Sequence, residues 1–253
     1  MKKYRVGLIA IFTGEYNKYM PRFIRTFKKY FAPGKAKLYV LTEKNIKCDD
    51  ENVEIMQINH LGWPNCTLRR YEIIMEFADK FDNEYLFSID GDVYFKKEIL
   101  LSEIKGELVG VLHRNIERKR KDFNYETRPE SKAYIADNEG KTYFAGGLVG
   151  GKREIFLRLA ENIRDNMNED IKKGIRAVWG DESHINRYFI DNEPEKILSP
   201  VYMCPDYLEG KKFAGKIIHI TKDFKKVNIE DIKDYLNIDP QEVMHKKIKK
   251  DYE

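Results

Sequence analysis

Tyr85-Leu-Phe-Ser-Ile-Asp90-Gly-Asp92-Val-Tyr-Phe95 is apolar for five residues and then stops at two aspartates one residue apart. The apolar part reads as a strand buried on both faces. Val6-Gly-Leu-Ile-Ala-Ile-Phe12, 38–41 and 53–58 read the same way. Between them Met20, Phe23, Ile24, Phe27 and Phe31 recur at helical spacing, with Pro21 suited to a first turn and Pro33-Gly34 to a stop. Leu68, Tyr71, Ile74, Met75 and Ala78 mark a second helix. Strand and helix in alternation predict an α/β fold built on parallel strands. Ligands of such sheets sit beyond the carboxyl ends of the strands, where Asp90 and Asp92 fall.

Further along, residues 113–138 are polar, contain Pro129 and predict a long loop, a kind of segment that usually serves function. Ile155, Phe156, Leu159, Ile163 and Met167 predict an amphipathic helix; 181–190 predict a shorter one with Asp181 as N-cap. Late strands are expected at 196–200 and 216–220. Residues 225–253 are rich in Lys, Asp and Glu and read as a peripheral helix or a partly disordered tail. With no repeat and no linker, residues 1–224 read as one domain.

Composition narrows the class. Hydrophobic residues make up 42% of the 253, enough for a core, so global disorder is excluded. Lys and Arg number 46 against 42 Asp and Glu, too even a balance to argue for nucleic acid. The basic run Arg114, Arg118, Lys119, Arg120 and Lys121 has no interleaved aromatics for base stacking. Cys48, Cys66 and Cys204 are odd in number and far apart, which gives neither a disulfide framework nor a zinc cage. The longest apolar run, Val6–Phe12, falls far short of the roughly 20 residues of a membrane span. These features predict a soluble protein of a reducing compartment, the cytoplasm.

Three stretches carry candidate chemistry. Asp90 and Asp92 can aim two carboxylates at one hard cation, Mg²⁺ or Mn²⁺, or can form an Asp-Gly turn of a hairpin. Gly146, Gly147, Gly150 and Gly151 can let the backbone approach a ligand, or can make a turn and a bulge. Trp179-Gly-Asp181-Glu182 sets an aromatic beside two carboxylates, the groups that stack on and stabilise a reacting sugar; the same pattern also suits an ordinary helix start. Arg69 and Arg70 can meet a phosphate, the aspartates or solvent. His60, His184, His219 and His245 show no metal spacing, and Cys66 reads as a small core residue.

In order and spacing these stretches resemble glycosyltransferase family 6, the retaining α-1,3-galactosyl- and N-acetylgalactosaminyltransferases that include the ABO blood-group enzymes. The resemblance runs from about Val6 to about Lys222. It is carried by Ile11-Phe-Thr-Gly-Glu-Tyr16, Leu61-Gly-Trp63-Pro, Leu68-Arg-Arg70, Asp90-Gly-Asp92, His113, Tyr125-Glu-Thr-Arg-Pro129, Ala133-Tyr-Ile135, Ala145-Gly-Gly-Leu-Val-Gly-Gly151, Trp179-Gly-Asp-Glu-Ser-His184 and Leu198-Ser-Pro200. It implies a GT-A fold, with a Rossmann-like nucleotide-binding half and a mixed central sheet.

The resemblance also assigns roles. Ile11, Phe12, Thr13, Tyr16, Trp63, Arg70, Asp90, Gly91, Asp92, Ala145, Gly146, Gly147, Asp181 and Lys222 fall on donor-side positions. His113, Asn124, Trp179 and Glu182 fall on the acceptor side, and Glu182 matches the catalytic carboxylate. Asp90 and Asp92 match the pair that binds Mn²⁺ (or Mg²⁺) against the diphosphate. The implied donor is a UDP-sugar and the implied acceptor an oligosaccharide or glycolipid. Small residues at Ala145 and Gly147 favour UDP-GalNAc over UDP-galactose. Three departures stand out. Gly180 replaces the family's histidine, Asn124 replaces the blood-group enzymes' threonine, and no second basic residue is in register after Lys222, with Lys225 and Lys226 the candidate substitutes. The membrane anchor and stem of the animal enzymes are not seen, which predicts a bacterial or phage-type enzyme. A metal-dependent nucleotidyltransferase or phosphohydrolase, and a sugar-binding relative without activity, are the rival readings.

Overall fold

The computed structural model describes residues 3–61, 65–115 and 117–221. Trp63, Lys222, Lys225, Lys226 and the expected tail lie outside the described residues.

The strands in chain order are β1 (Val6–Phe12), β2 (Ala36–Thr42), β3 (Val53–Gln57), β4 (Tyr85–Ile89), β5 (Val93–Phe95), β6 (Leu108–Leu112), β7 (Phe144–Lys152), β8 (Lys196–Leu198), β9 (Cys204–Pro205) and β10 (Ile217–His219). Seven form one sheet in the order β3-β2-β1-β4-β7-β6-β8. All its neighbouring pairs are parallel except β4–β7 and β6–β7. The sheet is therefore mixed, with β7 running against its neighbours. The chain winds outward from β1 to β3 and then returns to lay β4 on β1's other side. That reversal opens a crevice at the carboxyl ends of β1 and β4.

Helices α1 (Met20–Tyr30) and α5 (Arg153–Lys172) follow the apolar spacing, burying Phe23 and Phe27, and Phe156, Leu159 and Ile163. Two separate apolar clusters result, one containing Phe23 and Phe87, the other Ile9 and Phe156. The remaining helices are α2 (Asn65–Leu68), α3 (Arg70–Glu76), α4 (Leu101–Ile104) and α6 (Asp181–Asp191).

Four local expectations are corrected. The single helix over 68–78 is broken: α2 stops at Leu68, Arg69 leaves helical geometry at φ −107°, ψ 11°, and α3 ends at Glu76. Helix α1 stops at Tyr30, before Pro33, because Phe31 is already extended and Ala32 takes φ 40°. Asp90-Gly91-Asp92 is not a hairpin turn, since β5 leaves β4 and pairs antiparallel with β10 in a separate three-stranded sheet. The glycine-rich stretch is not a turn but most of β7, and the bulge is present, as the β6–β7 register shifts between Gly110 and Val111.

Candidate active site

The crevice at the strand ends holds a cavity of about 170 Å³. Ile11, Thr13 and Tyr16 line it from β1 and the turn that follows. That turn is pinned by Glu43, whose Oε1 accepts from Gly14 N (3.0 Å) and Asn17 Nδ2 (2.8 Å). Asp90, Gly91 and Asp92 line it from the end of β4, Gly146 and Gly147 from β7, and Trp179, Asp181 and Glu182 from the start of α6. Arg70, the first residue of α3, completes it.

Not every expected residue reaches this space. Phe12 is fully buried, its ring packed edge-on against Phe23 at 5.2 Å, so only its backbone faces the crevice end. Ala145 is buried in the core cluster beneath β7. His113 packs its ring on Tyr143 at 5.3 Å, and Asn124 accepts from Tyr143 Oη through its backbone oxygen at 3.4 Å. Tyr143 thus touches both His113 and Asn124, although it does not line the cavity itself. Cys66, expected in the core, is half-buried and lines the cavity with Thr67.

The helix break explains Arg70. Arg69 turns away to pair with Glu72 at 2.6 Å, while Arg70 points inward. Its Nη2 donates to Asp90 Oδ1 at 2.5 Å and its Nε stands 3.1 Å from Asp181 Oδ2. Arg70 Nη1 is buried with no hydrogen-bond partner among the described residues. A buried donor without an acceptor is costly, so it suits a ligand oxygen.

Gly180 sets the start of α6. It is the N-cap residue, at φ 55° and ψ −125°, a conformation open to glycine and strained for any side chain. Asp181 is therefore the first helical residue and not the cap, and its carboxylate is spent on Arg70. One residue on, Glu182 Oε1 accepts from Tyr143 Oη at 2.7 Å and Oε2 from Gly146 N at 2.8 Å. Asn186 bonds the main chain of Phe144 in both directions at 2.9 Å, which locks α6 to β7 at this point. A Cβ at position 146 would lie 2.8 Å from Glu182 Cβ, so this approach requires glycine.

Asp90, Asp92, Asp181 and Glu182 gather here against Arg70 and, beside Glu182, Arg114, so negative charge is in excess. Burial pushes the Asp181 carboxyl up to about 7; Arg70 opposes this, and Asp90 and Glu182 add to it. Burial likewise raises Glu182, against the hydrogen bonds from Gly146 and Tyr143. Tyr143, buried beside that carboxylate, is held well above the usual phenol value and stays a donor.

Asp90, Asp92 and His219 offer ligand atoms that all lie within 4.8 Å of one another. Two carboxylates and an imidazole suit a divalent cation, and the excess negative charge calls for one. Gly147 leaves the room beside Asp90, since a Cβ there would stand 2.8 Å from Asp90 Oδ2. The histidine was not foreseen. It lies far along the chain, and only the register of β5 with β10, His219 opposite Val93, brings it beside Asp92.

A larger cleft of about 820 Å³ lies at the other end of the sheet. Its Arg5 already pairs with Glu84 and its Lys152 with Glu107. With Arg5, Lys152 and Arg153 against five acidic residues, it is a solvated, acidic surface.

The mixed seven-stranded sheet with an acidic pair at its switch point is consistent with the GT-A type of glycosyltransferase fold. The chain belongs to Glycosyltransferase family 6, whose sequence profile matches residues 1–231. It is similar to Histo-blood group ABO system transferase 1 of Rattus norvegicus, 33% identical over 216 residues, 81% of this chain and 62% of that protein. Globoside alpha-1,3-N-acetylgalactosaminyltransferase 1 of Homo sapiens is 29% identical over 79% of this chain and 61% of its own length. O-antigen biosynthesis glycosyltransferase WbnI of Escherichia coli is 30% identical over 225 residues, 86% of this chain and 95% of that protein. The chain thus spans somewhat under two thirds of the rat and human relatives and nearly all of the bacterial one. Among the described residues no helix is long and apolar enough to cross a membrane.

Proposed function

We propose that this glycosyltransferase is a retaining α-1,3-hexosyltransferase that moves N-acetylgalactosamine from UDP-GalNAc to a β-galactoside, α-1,2-fucosylated acceptors included, with residues 1–224 as its catalytic unit. UDP-galactose is the alternative donor. The observation that carries the reading is Glu182, a carboxylate fixed by Tyr143 and Gly146 in the same cavity as Asp90 and Asp92. Ile11, Thr13 and Tyr16 hold the uridine end, and Asp90 and Asp92 hold Mn²⁺ (or Mg²⁺). When bound, the cation supplies charge neutralisation for the departing diphosphate.

The chain's own residues do the rest. Arg70, with its free Nη1, adds a donor toward the donor's oxygens. As the bond to UDP lengthens, the anomeric carbon becomes oxocarbenium-like, and the Glu182 carboxylate stabilises that positive charge. Tyr143 and Gly146 keep the carboxylate oriented, so little reorganisation is needed in the transition state. Asp181 keeps Arg70 aimed and Trp179 offers a stacking face to the acceptor pyranose. The name of the human relative, an alpha-1,3-N-acetylgalactosaminyltransferase, supports the donor class. A panel of UDP-sugars and β-galactosides, with and without EDTA, tests the reading. Transfer from UDP-GalNAc that EDTA abolishes and Mn²⁺ restores is expected. Hydrolysis of nucleotides without transfer would favour a phosphohydrolase instead.

A further inference from the structure

We propose that His219 is a third, chain-borne ligand of the divalent cation, so that the protein loads a transition metal before any nucleotide arrives and prefers it to magnesium. This rests on the metal-dependent reading above and deepens it.

The position of His219 is set by backbone, not by chance side-chain contact. Strand β10 pairs with β5 in the register Ile218 to Tyr94 and His219 to Val93, and Ile220 N donates to Asp92 O at 2.9 Å. Ile217 and Ile218 are fully buried and anchor the strand. The imidazole therefore has a rigid seat one residue from Asp92. Its Nε2 stands 3.3 Å from Asp92 Oδ2. Two ligands at right angles around one ion, each about 2.1–2.2 Å from it, stand roughly 3 Å apart, and opposed ligands a little over 4 Å. The measured edge and the 4.8 Å limit on the whole group suit such an ion after a small adjustment.

The alternative is a plain ion pair between His219 and Asp92. Charge at the site argues against it as the whole account. The cavity gathers Asp90, Asp92, Asp181 and Glu182 around Arg70, so one imidazolium would leave the cluster still negative. Asp92 is buried to 1% exposure while His219 keeps 31% of its side chain open, so an ion arriving from solvent meets the imidazole side first.

The third ligand has two consequences. Three protein donors can hold an ion that two carboxylates would leave to the diphosphate. An imidazole nitrogen also favours first-row transition ions over Mg²⁺, which prefers oxygen and keeps its waters.

Electron paramagnetic resonance of Mn²⁺ with the full chain and no nucleotide tests this. One bound Mn²⁺ per chain, with hyperfine coupling to a single directly bonded nitrogen, is expected for the wild type. His219→Ala should lose that coupling and weaken Mn²⁺ binding about tenfold or more, with Mg²⁺ binding changed by less than about threefold. A wild-type signal without nitrogen coupling would overturn the proposal whether or not the variant folds. So would equal Mn²⁺ affinity in His219→Ala. Transfer assayed in EDTA reports on the metal-dependent reading separately: transfer that needs Mn²⁺, together with no nitrogen coupling, rejects His219 alone.

Discussion

The two walls of the cavity are held in place by different means. One wall is the ends of β1, β4 and β5, where Ile11, Asp90 and Asp92 are positioned by strand pairing, Val6 to Ala10 against Tyr85 to Ile89. The other is the start of α6, tied to β7 through Glu182 and Asn186, with the loop that precedes β7. Buried carboxylates substitute for a ladder there. Glu126, fully buried, takes Arg128 N and Nε at 2.9 Å on one oxygen, and Arg128 Nη2 at 2.7 Å and Val178 N at 2.9 Å on the other. Asp170 takes Ser131 Oγ at 2.6 Å and Lys132 N at 2.8 Å. Acidic residues therefore do opposite work on the two walls. On the first, Asp90 and Asp92 are poised for a ligand; on the second, Glu126 and Asp170 are consumed in holding the fold that presents Glu182.

The largest effect that can break this comparison is on the first wall. Asp90→Asn with Asp92→Asn should abolish Mn²⁺-stimulated transfer and leave stability unchanged or raised, since excess negative charge is removed. Turnover with Mn²⁺ equal to that of the wild type would remove the pair from metal binding, and a collapsed melting transition would show that it is structural. Glu182→Gln comes next. It keeps the shape that Tyr143 and Gly146 recognise and removes the charge, so kcat should fall by about 10²–10³, or about 3–4 kcal/mol. Affinity for UDP should change far less. A variant within twofold of wild type would move the chemistry to another group.

On the second wall, Glu126→Gln should act on stability first. Losing the charge shared by Arg128 and Val178 N should cost about 1–3 kcal/mol in urea unfolding, with acceptor KM raised and UDP affinity unchanged. The opposite split, with UDP affinity hit and acceptor KM untouched, would mean that the two walls are not independently held.

What could be read in advance follows the same division. β1 and β4 are legible because their apolar runs are uninterrupted, and Asp90 and Asp92 because they end one of them. β7 is hidden by its four glycines, which lack the side chains that announce a strand. They are there because Phe87, Glu107, Met203 and Glu182 crowd against that strand. The cap at Gly180 is unreadable because a glycine before Asp-Glu looks like a spacer, whereas its backbone angles decide which carboxylate faces Arg70. His219 carries no local signal, as pairing across the small sheet alone gives it a neighbour. Glu126 and Asp170 sit in polar stretches where any acid looks solvated.

Gly147→Ala sharpens the first wall. Its new Cβ would lie 2.1 Å from Met203 Cε and 2.8 Å from Asp90 Oδ2. The flexible Met203 can swing, but Asp90 is held by Arg70, so discrimination should move against the N-acetyl donor by about 1–3 kcal/mol. Competition between UDP-GalNAc and UDP-galactose at equal concentration reads the kcat/KM ratio directly. An unchanged ratio would remove Gly147 from donor choice.

The smallest effect concerns pH and belongs to the second wall. His184 is 3% exposed on α6, with Nε2 3.5 Å from Asp170 Oδ2 and Nδ1 buried without a hydrogen-bond partner among the described residues. Burial drives its pKa well below the usual histidine value; Asp170 and Glu126 oppose this without reversing it. The folded protein therefore binds fewer protons here than the unfolded chain. Stability from the neutral imidazole is complete above the unfolded value of about 6.5 and is lost as pH falls below it, at up to about 1.4 kcal/mol per pH unit. His184→Gln leaves Asp170 and Glu126 themselves in place, so the difference between wild type and variant isolates the imidazole. Urea unfolding at pH 7 and pH 5.5 should show the wild type losing about 1 kcal/mol more than His184→Gln over that interval. If both proteins lose the same amount, the acid sensitivity of this wall comes from its carboxylates, and the neutral histidine serves only as packing.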